Sequence, residues 1–157
     1  MSAFATFALL LAAAPPPLPA EPRLEVREAQ FLAIDTRNEP PAIVPSRRIP
    51  YRPETSCFAW LLEVAPQQAR VTLREELRLP QASPNWGTAE GTTVHQDRAG
   101  ATSRIEADLS EGIVANEWCV SEGDPVGAHS IRIYQGDRLL RTFEFEVVPD
   151  PEDRTAI

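Results

Sequence analysis

The alternation of apolar and polar residues over 69–79, ARVTLREELRL, is the cleanest in the chain and constrains its fold more than any other feature. Successive side chains of a β-strand point to opposite faces, so this alternation predicts a strand with one buried and one solvated face. Arg, Glu and Leu also favour helices, but the apolar spacing here is two rather than three and four. Only Glu75 interrupts the apolar face, which carries Val71, Leu73, Leu77 and Leu79.

Several other short runs have the same period of two or are apolar on both faces. The run 56–64, SCFAWLLEV, is apolar on both faces, which predicts a mostly buried strand. One face holds Phe58, Trp60, Leu62 and Val64, and the other holds Cys57, Ala59 and Leu61. The phase shifts midway through 23–34, which predicts a first strand with a bulge. Further strands are predicted over 103–109, 113–120, 128–134 and 138–147, with a short edge strand near 92–95.

Turn and proline signals separate these strands. The segment 39–53 holds five prolines, which lack the N–H group that a sheet interior needs, so it is an edge or crossover segment. The turn 135–137 predicts a final hairpin. Its facing side chains are predicted to be His129, Ile131 and Ile133 against Leu139, Phe143, Phe145 and Val147. About seven short strands and no amphipathic helix predict an all-β fold, a single antiparallel immunoglobulin-like β-sandwich over 21–149.

The two ends of the chain differ from this pattern. Residues 1–20 have no charged side chain, and their apolar run from Ala3 to Ala14 is the length of a signal-peptide core and too short to span a bilayer. We interpret 1–20 as a signal peptide, cleaved after Ala20, and expect a periplasmic or secreted protein with no integral membrane segment after its removal. An apolar tail of a cytosolic protein or a misassigned start is the alternative. The acidic end, 150–157, predicts a disordered, solvated tail.

The charge balance excludes one class of partner. The formal net charge is −8, and the 15 basic residues are all Arg, scattered singly apart from Arg47 and Arg48. Nucleic-acid binding uses clustered basic side chains that neutralise phosphates, so we expect no nucleic-acid partner. The same scatter offers no cationic stripe for anionic lipids.

The two cysteines, Cys57 and Cys119, predict one disulfide, because an exported chain folds in an oxidising compartment. In the cytosol the same pair would be reduced, and an unpaired Cys57 could be a reactive thiol. On the chain-entropy model, closing a loop of about 60 residues stabilises a fold by roughly 4 kcal/mol, less any strain.

The closing part of the chain carries Trp118, a Gly123-Asp124-Pro125 turn, Gly127, and the strand segments Ile131–Tyr134 and Thr142–Val147. This order resembles the last three strands of immunoglobulin-like and macroglobulin-like modules in bacterial exported proteins, including an uncharacterised periplasmic domain family. In such modules a Trp fills the core, the turn starts a hairpin, and the last strand closes the sheet. The resemblance implies a fold and no activity.

The resemblance also implies where several side chains point. Phe58, Trp60 and Trp118 would face the core. Cys57 and Cys119 would then lie on the opposite side of their strands, and their disulfide would join neighbouring strands on the outer face of one sheet. The departure from the family pattern is His129, which stands where an aromatic residue often follows the turn glycine.

No group of residues has the spacing of a catalytic or metal site. The only histidines are His95 and His129, and no H-x-x-x-H, C-x-x-C or G-x-S-x-G occurs. Asp124 with Glu122 offers too few oxygens for calcium, so Asp124 is better explained as a turn residue. We therefore predict no enzymatic activity, no metal and no cofactor.

Trp86, in the loop sequence SPNWG, is the candidate contact residue, because an exposed indole can stack on a sugar or anchor a partner. The favoured alternative is that Trp86 folds back over one end of the sandwich. Two functions follow. The preferred one is an interaction or structural module of the cell envelope, which binds another envelope protein through its loops or an open sheet edge. The other is a small-ligand or glycan-binding module that uses Trp86 and Tyr134.

Overall fold

The computed structural model describes residues 17, 20–87 and 89–153. These residues form no helix, and so none that could cross a membrane. The predicted signal peptide lies outside the described residues apart from Pro17 and Ala20. The strands are β1 (Glu28–Asp35), β2 (Ala42–Pro45), β3 (Arg48–Pro50), β4 (Ser56–Glu63), β5 (Arg70–Arg78), β6 (Thr92–Val94), β7 (Gly100–Asp108), β8 (Ile113–Cys119), β9 (Gly127–Gln135) and β10 (Arg138–Val148).

The strands form two sheets. One has four strands in the order β2-β1-β4-β8, and the other has six in the order β3-β10-β9-β5-β7-β6. The prediction of an all-β sandwich is confirmed. The described residues hold ten strands rather than seven, because the proline-rich segment contributes two short strands and the 92–94 segment a third.

The proline-rich segment crosses from one sheet to the other. Its first strand, β2, pairs antiparallel with β1 at the edge of the four-stranded sheet. Its second strand, β3, pairs parallel with β10 at the edge of the six-stranded sheet. Pro45 and Pro50 are the last residues of these strands, where a missing N–H disturbs the ladder least. The segment is therefore both an edge and a crossover.

Two local predictions are wrong. The first strand begins at Glu28 rather than Arg23, and it pairs with β4 without a bulge. In the final hairpin the register shifts between Leu139 and Arg141. This shift turns Leu140 into the core and leaves Leu139 49% exposed, because a bulge reverses the face on which the next residue lies.

The core lies between the two sheets. Its centre contains Trp60, which is fully buried, and a group of phenylalanines in ring contact. Phe31 and Phe58 come from the four-stranded sheet and Phe145 from the six-stranded sheet, with the rings of Phe31 and Phe145 4.7 Å apart. Such aromatic contacts stabilise the packing of the two layers beyond the area that they bury.

Cys57 and Cys119 form a disulfide, as predicted. They are register partners on β4 and β8, so the bond joins neighbouring strands of the four-stranded sheet. Phe58 follows Cys57 and Trp118 precedes Cys119, and both aromatic side chains pack toward the core. Successive side chains of a strand point to opposite faces, so the two sulfurs lie on the outer face of the sheet. Cys57 is buried and Cys119 is exposed.

The acidic end of the chain is not simply solvated where the structure describes it. Asp150 and Glu152 form ion pairs with Arg52, at 2.7 and 3.2 Å. Glu152 also pairs with Arg37 at 2.7 Å. Residues 154–157 lie outside the described residues, and disorder there stays a prediction.

Candidate binding sites

Trp86 folds back onto the sandwich instead of projecting into solvent. Its ring meets the ring of Trp118 edge to face, with the centroids 6.3 Å apart. Its indole N–H donates a hydrogen bond to the carbonyl oxygen of Arg98 at 3.0 Å. Trp86 thus connects the loop after β5 to β8 and to the β6–β7 turn, and it is half-buried.

A cavity of about 250 Å³ lies beside this tryptophan pair. We call it the end cavity. It has side chains of both sheets and of the Trp86 loop in its wall. The apolar part of the wall includes Phe58, Leu77, Leu79, Trp118, Val120 and Val147, together with Trp86.

His129 is the buried polar side chain of the end cavity, at 6% exposure. Its Nδ1 atom lies 2.9 Å from the carbonyl oxygen of Gly127. Its ring stacks on Phe145 at 5.2 Å, which fixes the ring plane. Burial lowers the pKa of His129 below its usual value, because the cavity wall disfavours the charged imidazolium.

Asp124 stabilises the turn beside the same cavity. Its carboxylate accepts hydrogen bonds from the Ser83 hydroxyl at 2.7 Å and from the Ser121 backbone N–H at 2.8 Å. One oxygen therefore stabilises the turn, which is the role that the sequence favours, and the other holds the Trp86 loop against that turn.

Tyr134 lies away from Trp86. It stands on β9 opposite Arg74 of β5, on the outer face of the six-stranded sheet. The Arg74 guanidinium lies 4.4 Å above its ring in a cation–π contact. Since the end cavity is lined by Trp86 and not by Tyr134, the structure does not bring these two candidate contact residues into one site.

The remaining candidates for chemistry are engaged in other contacts. His95 lies 2.8 Å from the Thr102 hydroxyl and 3.1 Å from an Arg78 nitrogen. Among the described residues, Cys57, Glu117 and Cys119 alone have metal-ligand spacing, but both sulfurs are in the disulfide. A disulfide sulfur is not the thiolate that binds a metal.

The outer face of the four-stranded sheet is apolar. The register places Ile43, Ile34 and the disulfide in one row across the four strands, and Pro45, Leu32, Ala59 and Glu117 in the next. In the next two rows Leu61 and Ala115 stand beside Gln30, and Ile113 stands beside Glu28 and Glu63. We call this surface the apolar face: Leu32, Ile34, Ile43, Pro45, Ala59, Leu61, Ile113, Ala115 and the Cys57–Cys119 disulfide.

Exposure within the apolar face increases toward its edge strands. Ile34 is 9% exposed, whereas Ile43 on β2 is 57% and Ile113 on β8 is 47% exposed. The four strands are about 4.8 Å apart and four to eight residues long, so the whole outer face covers on the order of 400 Å². Its exposed apolar part is smaller, because Ile34 and Cys57 are buried. Exposed apolar patches of a few hundred Å² on a monomer often have a function.

The charged residues in the register rows of the apolar face are all acidic: Glu28, Glu63 and Glu117. Arg47 lies at one end of the face, beside Glu28 and Pro45. Glu28 and Glu63 are register partners, so two like charges stand directly opposite each other. Within the described part of the chain, none of the three forms an ion pair with an arginine.

The outer face of the six-stranded sheet has the opposite character. It is covered by polar residues whose charges neutralise one another along the strands. Ion pairs there join Arg74 to Glu76 at 3.2 Å, Arg104 to Glu106 at 2.6 Å and Arg48 to Glu146 at 3.1 Å. The outer face of the six-stranded sheet is thus polar, whereas the outer face of the four-stranded sheet is largely apolar.

The comparisons with known proteins identify the fold family. A family model described as the PM0630 beta sandwich domain matches residues 29–148. The chain belongs to the PM0630 beta sandwich domain family. The predicted resemblance to an uncharacterised immunoglobulin-like sandwich family is confirmed. The match covers every described strand, apart from the first residue of β1.

A solved structure supports the immunoglobulin-like fold of this PM0630 beta sandwich domain. An immunoglobulin-like protein (PA1606) from Pseudomonas aeruginosa aligns with a TM-score of 0.54 and 15% sequence identity. The alignment covers 83% of this chain and 100% of that one. No curated protein matches the chain.

Sequence reasoning missed two features of the PM0630 beta sandwich domain. It assigned His129 to a strand but had no means of finding the cavity beside it, which is built by residues from β4, β5, β8 and β10. It noted that Cys57, Ala59 and Leu61 fill the second face of a strand. The residues 56–64 therefore indicated an apolar outer face. How far that face extends depends on the register of β4 with its neighbouring strands, which the sequence does not reveal.

Proposed function

We propose that this chain is an exported, non-catalytic interaction module of the cell envelope, which binds a partner protein on its apolar face. Export is supported by the uncharged apolar segment at the start of the sequence and by the disulfide, a bond that persists in oxidising compartments. The single observation that carries the binding proposal is the apolar outer face of the four-stranded sheet, beside a polar outer face on the other sheet.

Antiparallel sheets of a monomer alternate between buried apolar and solvated polar side chains. The strand β5 follows this rule, with its outer residues polar, whereas β4 places Cys57, Ala59 and Leu61 on the outside. Covering the exposed apolar side chains of this face, above all Ile43 and Ile113, would remove apolar area from water at about 25 cal/mol per Å², whereas Cys57 is already buried. The patch is large enough to form the apolar centre of an interface, with the glutamates at its rim.

The acidic residues of the apolar face indicate which charges the partner's surface should carry. Glu28, Glu63 and Glu117 have no arginine partner in the described part of this chain, so a bound surface with Lys or Arg around an apolar centre would neutralise them. A second copy packed face to face would place glutamates against glutamates, which repel. We therefore assign the apolar face to a different protein with an apolar, basic-rimmed surface.

Site-specific photocrosslinking in native envelope material tests this proposal. A benzophenone amino acid replaces Ile43 or Ile113 on the apolar face. The matched controls are Leu139, which is 49% exposed, and Val126, which is 46% exposed, both apolar residues elsewhere on the surface. We expect one discrete adduct from the first pair and not from the controls. Equal adducts at all four sites, no adduct at Ile43 and Ile113, or an adduct of twice the chain's mass contradicts the proposal.

The recovered partner is then tested with purified protein. The paired change Glu63→Arg and Glu117→Arg should weaken binding by about tenfold or more and reduce its salt dependence, because it removes the complementary charge. Glu144→Arg, on the polar outer face, is the matched control and should leave binding unchanged. Binding that tolerates the Glu63 and Glu117 changes would contradict the assignment of a basic rim.

A further inference from the structure

The edge strand β8 is long and poorly protected compared with the other three sheet edges in the described part of the chain. The edge strands β2, β3 and β6 have only four, three and three residues, and proline ends the first two. The strand β8 has seven residues, IVANEWC, with no proline and no basic side chain. Edges are usually protected against added strands by short length, proline, bulges or charges, and β8 has only the charge of Glu117.

The hydrogen-bond pattern shows which backbone groups of β8 face outward. Val120 donates a backbone hydrogen bond to Ser56, so the even-numbered residues of this segment exchange hydrogen bonds with β4. The odd-numbered residues Ile113, Ala115 and Glu117 therefore direct their N–H and C=O groups away from β4. On that side β8 has no neighbouring strand among the described residues, and no described loop forms a backbone hydrogen bond there.

The six-stranded sheet extends past β8. Asn116 and Trp118 of β8 donate hydrogen bonds to Glu75 of β5, so β8 lies over β5. The six-stranded sheet continues beyond β5 with β7 and β6, whereas the four-stranded sheet ends at β8. Ile105 and Ala107 on β7 face the core side and are only half-buried, although their register partners on β5 are buried. The space above them is the position of a further strand.

Trp86 closes one end of this space. Its ring contacts that of Trp118, at the end of β8, and its indole N–H donates to the carbonyl oxygen of Arg98. The first half of β7 is correspondingly covered, since Ala101 and Ser103 are buried. The open part runs beside 113–117 of β8 and over 105–107 of β7, which suits a strand of about five residues. We call this space the vacant strand position.

We infer that the vacant strand position accepts an extended segment of a partner protein, which adds to β8 as a fifth strand of its sheet. The inference rests on the proposed function for its partner and deepens it, since β8 is one edge of the apolar face. Main-chain hydrogen bonds supply the affinity of such strand addition, and alternate side chains supply its specificity.

The two faces of the added strand define its sequence. Residues that pair with Ile113, Ala115 and Glu117 project on the outer face, and the residues between them project over Ile105 and Ala107. The inner positions are therefore apolar. The residue opposite Glu117 is basic, because Glu117 has no arginine partner in the described part of this chain.

The overhang of the six-stranded sheet disfavours a second copy of this chain as the occupant. If two copies paired antiparallel through β8, both six-stranded sheets would lie on the same side of the joined sheet. The β7 strand of one copy would then occupy the space of β5 from the other. An extended segment meets no such obstacle, because it brings no second sheet with it.

The test uses a nine-residue peptide in which valine and lysine alternate, added to the full chain and followed by calorimetry. Its valines match the inner positions and its lysines the outer ones. The control peptide carries methyl groups on the backbone nitrogens of its lysines, which removes the N–H groups that pair with β8 and keeps every side chain. We expect the methylated peptide to bind at least about tenfold more weakly. Equal affinities, or no binding of either peptide, overturn the inference.

Two measurements on the protein locate the added strand. Amide hydrogen exchange of Ile113, Ala115 and Glu117 should slow at saturation with the peptide, whereas that of Val94, on the edge strand β6, should not. Ala115→Pro removes an outward N–H without breaking the ladder with β4, so it should weaken binding at least about tenfold. Ala115→Val keeps the N–H and should leave binding unchanged. Unchanged exchange at Ala115 in the unmodified protein overturns the assignment, whether or not the proline variant folds.

The outcomes separate this inference from the proposed function. A discrete photocrosslinked adduct at Ile43, without peptide protection of Ala115, would leave the apolar face as a binding surface and overturn strand addition. Protection of Ala115 by the peptide, without an adduct at Ile43 and Ile113, would support strand addition and contradict the proposed function. A free protein that is a dimer, and that Ala115→Pro converts to a monomer, would make a second copy the occupant and overturn the inference.

Discussion

At the scale of single residues, Glu75 is a buried side chain that joins the two sheets by hydrogen bonds. It is fully buried on β5, in the six-stranded sheet. Its carboxylate accepts hydrogen bonds from the indole N–H groups of Trp60 and Trp118 and from the amide of Asn116, all on the four-stranded sheet. A carboxylate has only acceptors when ionised, which matches a shell made only of donors.

Glu75→Gln tests this network. The amide keeps the size of the side chain but presents an NH₂ group to donors, so hydrogen bonds are lost and N–H groups are left unpaired. We expect the free energy of unfolding to fall by about 1–3 kcal/mol, measured by urea unfolding followed by tryptophan fluorescence. Glu76→Gln, the adjacent change in a partly exposed ion pair, should cost less than about 1 kcal/mol. Similar losses for both variants would contradict a special role for Glu75.

The period of two on β5 correctly placed Glu75 on the buried face, but it could not identify what holds it there. Its partners are 15, 41 and 43 residues away in sequence, and a sheet register brings them together. Local patterns report the direction of a side chain. They carry no information on which distant strand lies opposite.

At the scale of elements, most strands could be predicted from alternation because each has one face in the core. The strand β5 was predicted over 69–79 and spans Arg70–Arg78. In β10, by contrast, a register shift between Leu139 and Arg141 places Leu140 rather than Leu139 on the buried face with Phe143. Both Leu139 and Leu140 are apolar, so hydropathy cannot show which of them is inside.

The bulge makes Leu139 and Leu140 a matched pair for mutation. Leu140→Ala should lower the free energy of unfolding by about 2–4 kcal/mol, because it removes a buried side chain and leaves a cavity. Leu139→Ala, at 49% exposure, should change it by less than about 1 kcal/mol. Thermal or urea unfolding of the two variants measures both values. A larger loss of unfolding free energy for Leu139→Ala than for Leu140→Ala would contradict the burial of Leu140 at the bulge.

At the scale of the whole molecule, an ion-pair cluster joins the ends of the two sheets. Arg52, with a side chain only 11% exposed, contacts Asp35 at the end of β1 at 3.3 Å and Asp150, just beyond β10, at 2.7 Å. The sequence did not suggest this cluster, because Asp150 belongs to a segment whose composition predicts a solvated tail. A tail can be ordered by a few charge-assisted hydrogen bonds to a folded domain, whatever its own hydropathy.

This cluster predicts how stability depends on acid. Hydrogen bonds from Arg37, together with the positive charges of Arg37 and Arg52, lower the pKa of Asp35 from 3.8 to about 2. The unfolded chain therefore binds a proton at Asp35 at a higher pH than the folded chain does. The resulting stabilisation is fully present above about pH 4 and is lost as the pH falls through the range from about 4 to about 2.

Urea unfolding at a series of pH values from 5 to 2 measures this effect. Asp35→Asn cannot titrate, so the variant should be less stable than the wild type at pH 5 but should lose less stability on acidification. Asp137→Asn, in the exposed β9–β10 turn, is the control and should keep the wild-type slope. Parallel curves for wild type and Asp35→Asn would show that Asp35 is not a source of the acid sensitivity. A flatter curve for Asp35→Asn would show that the ion pair of Asp35, made mainly with Arg37, is a proton-linked part of the fold.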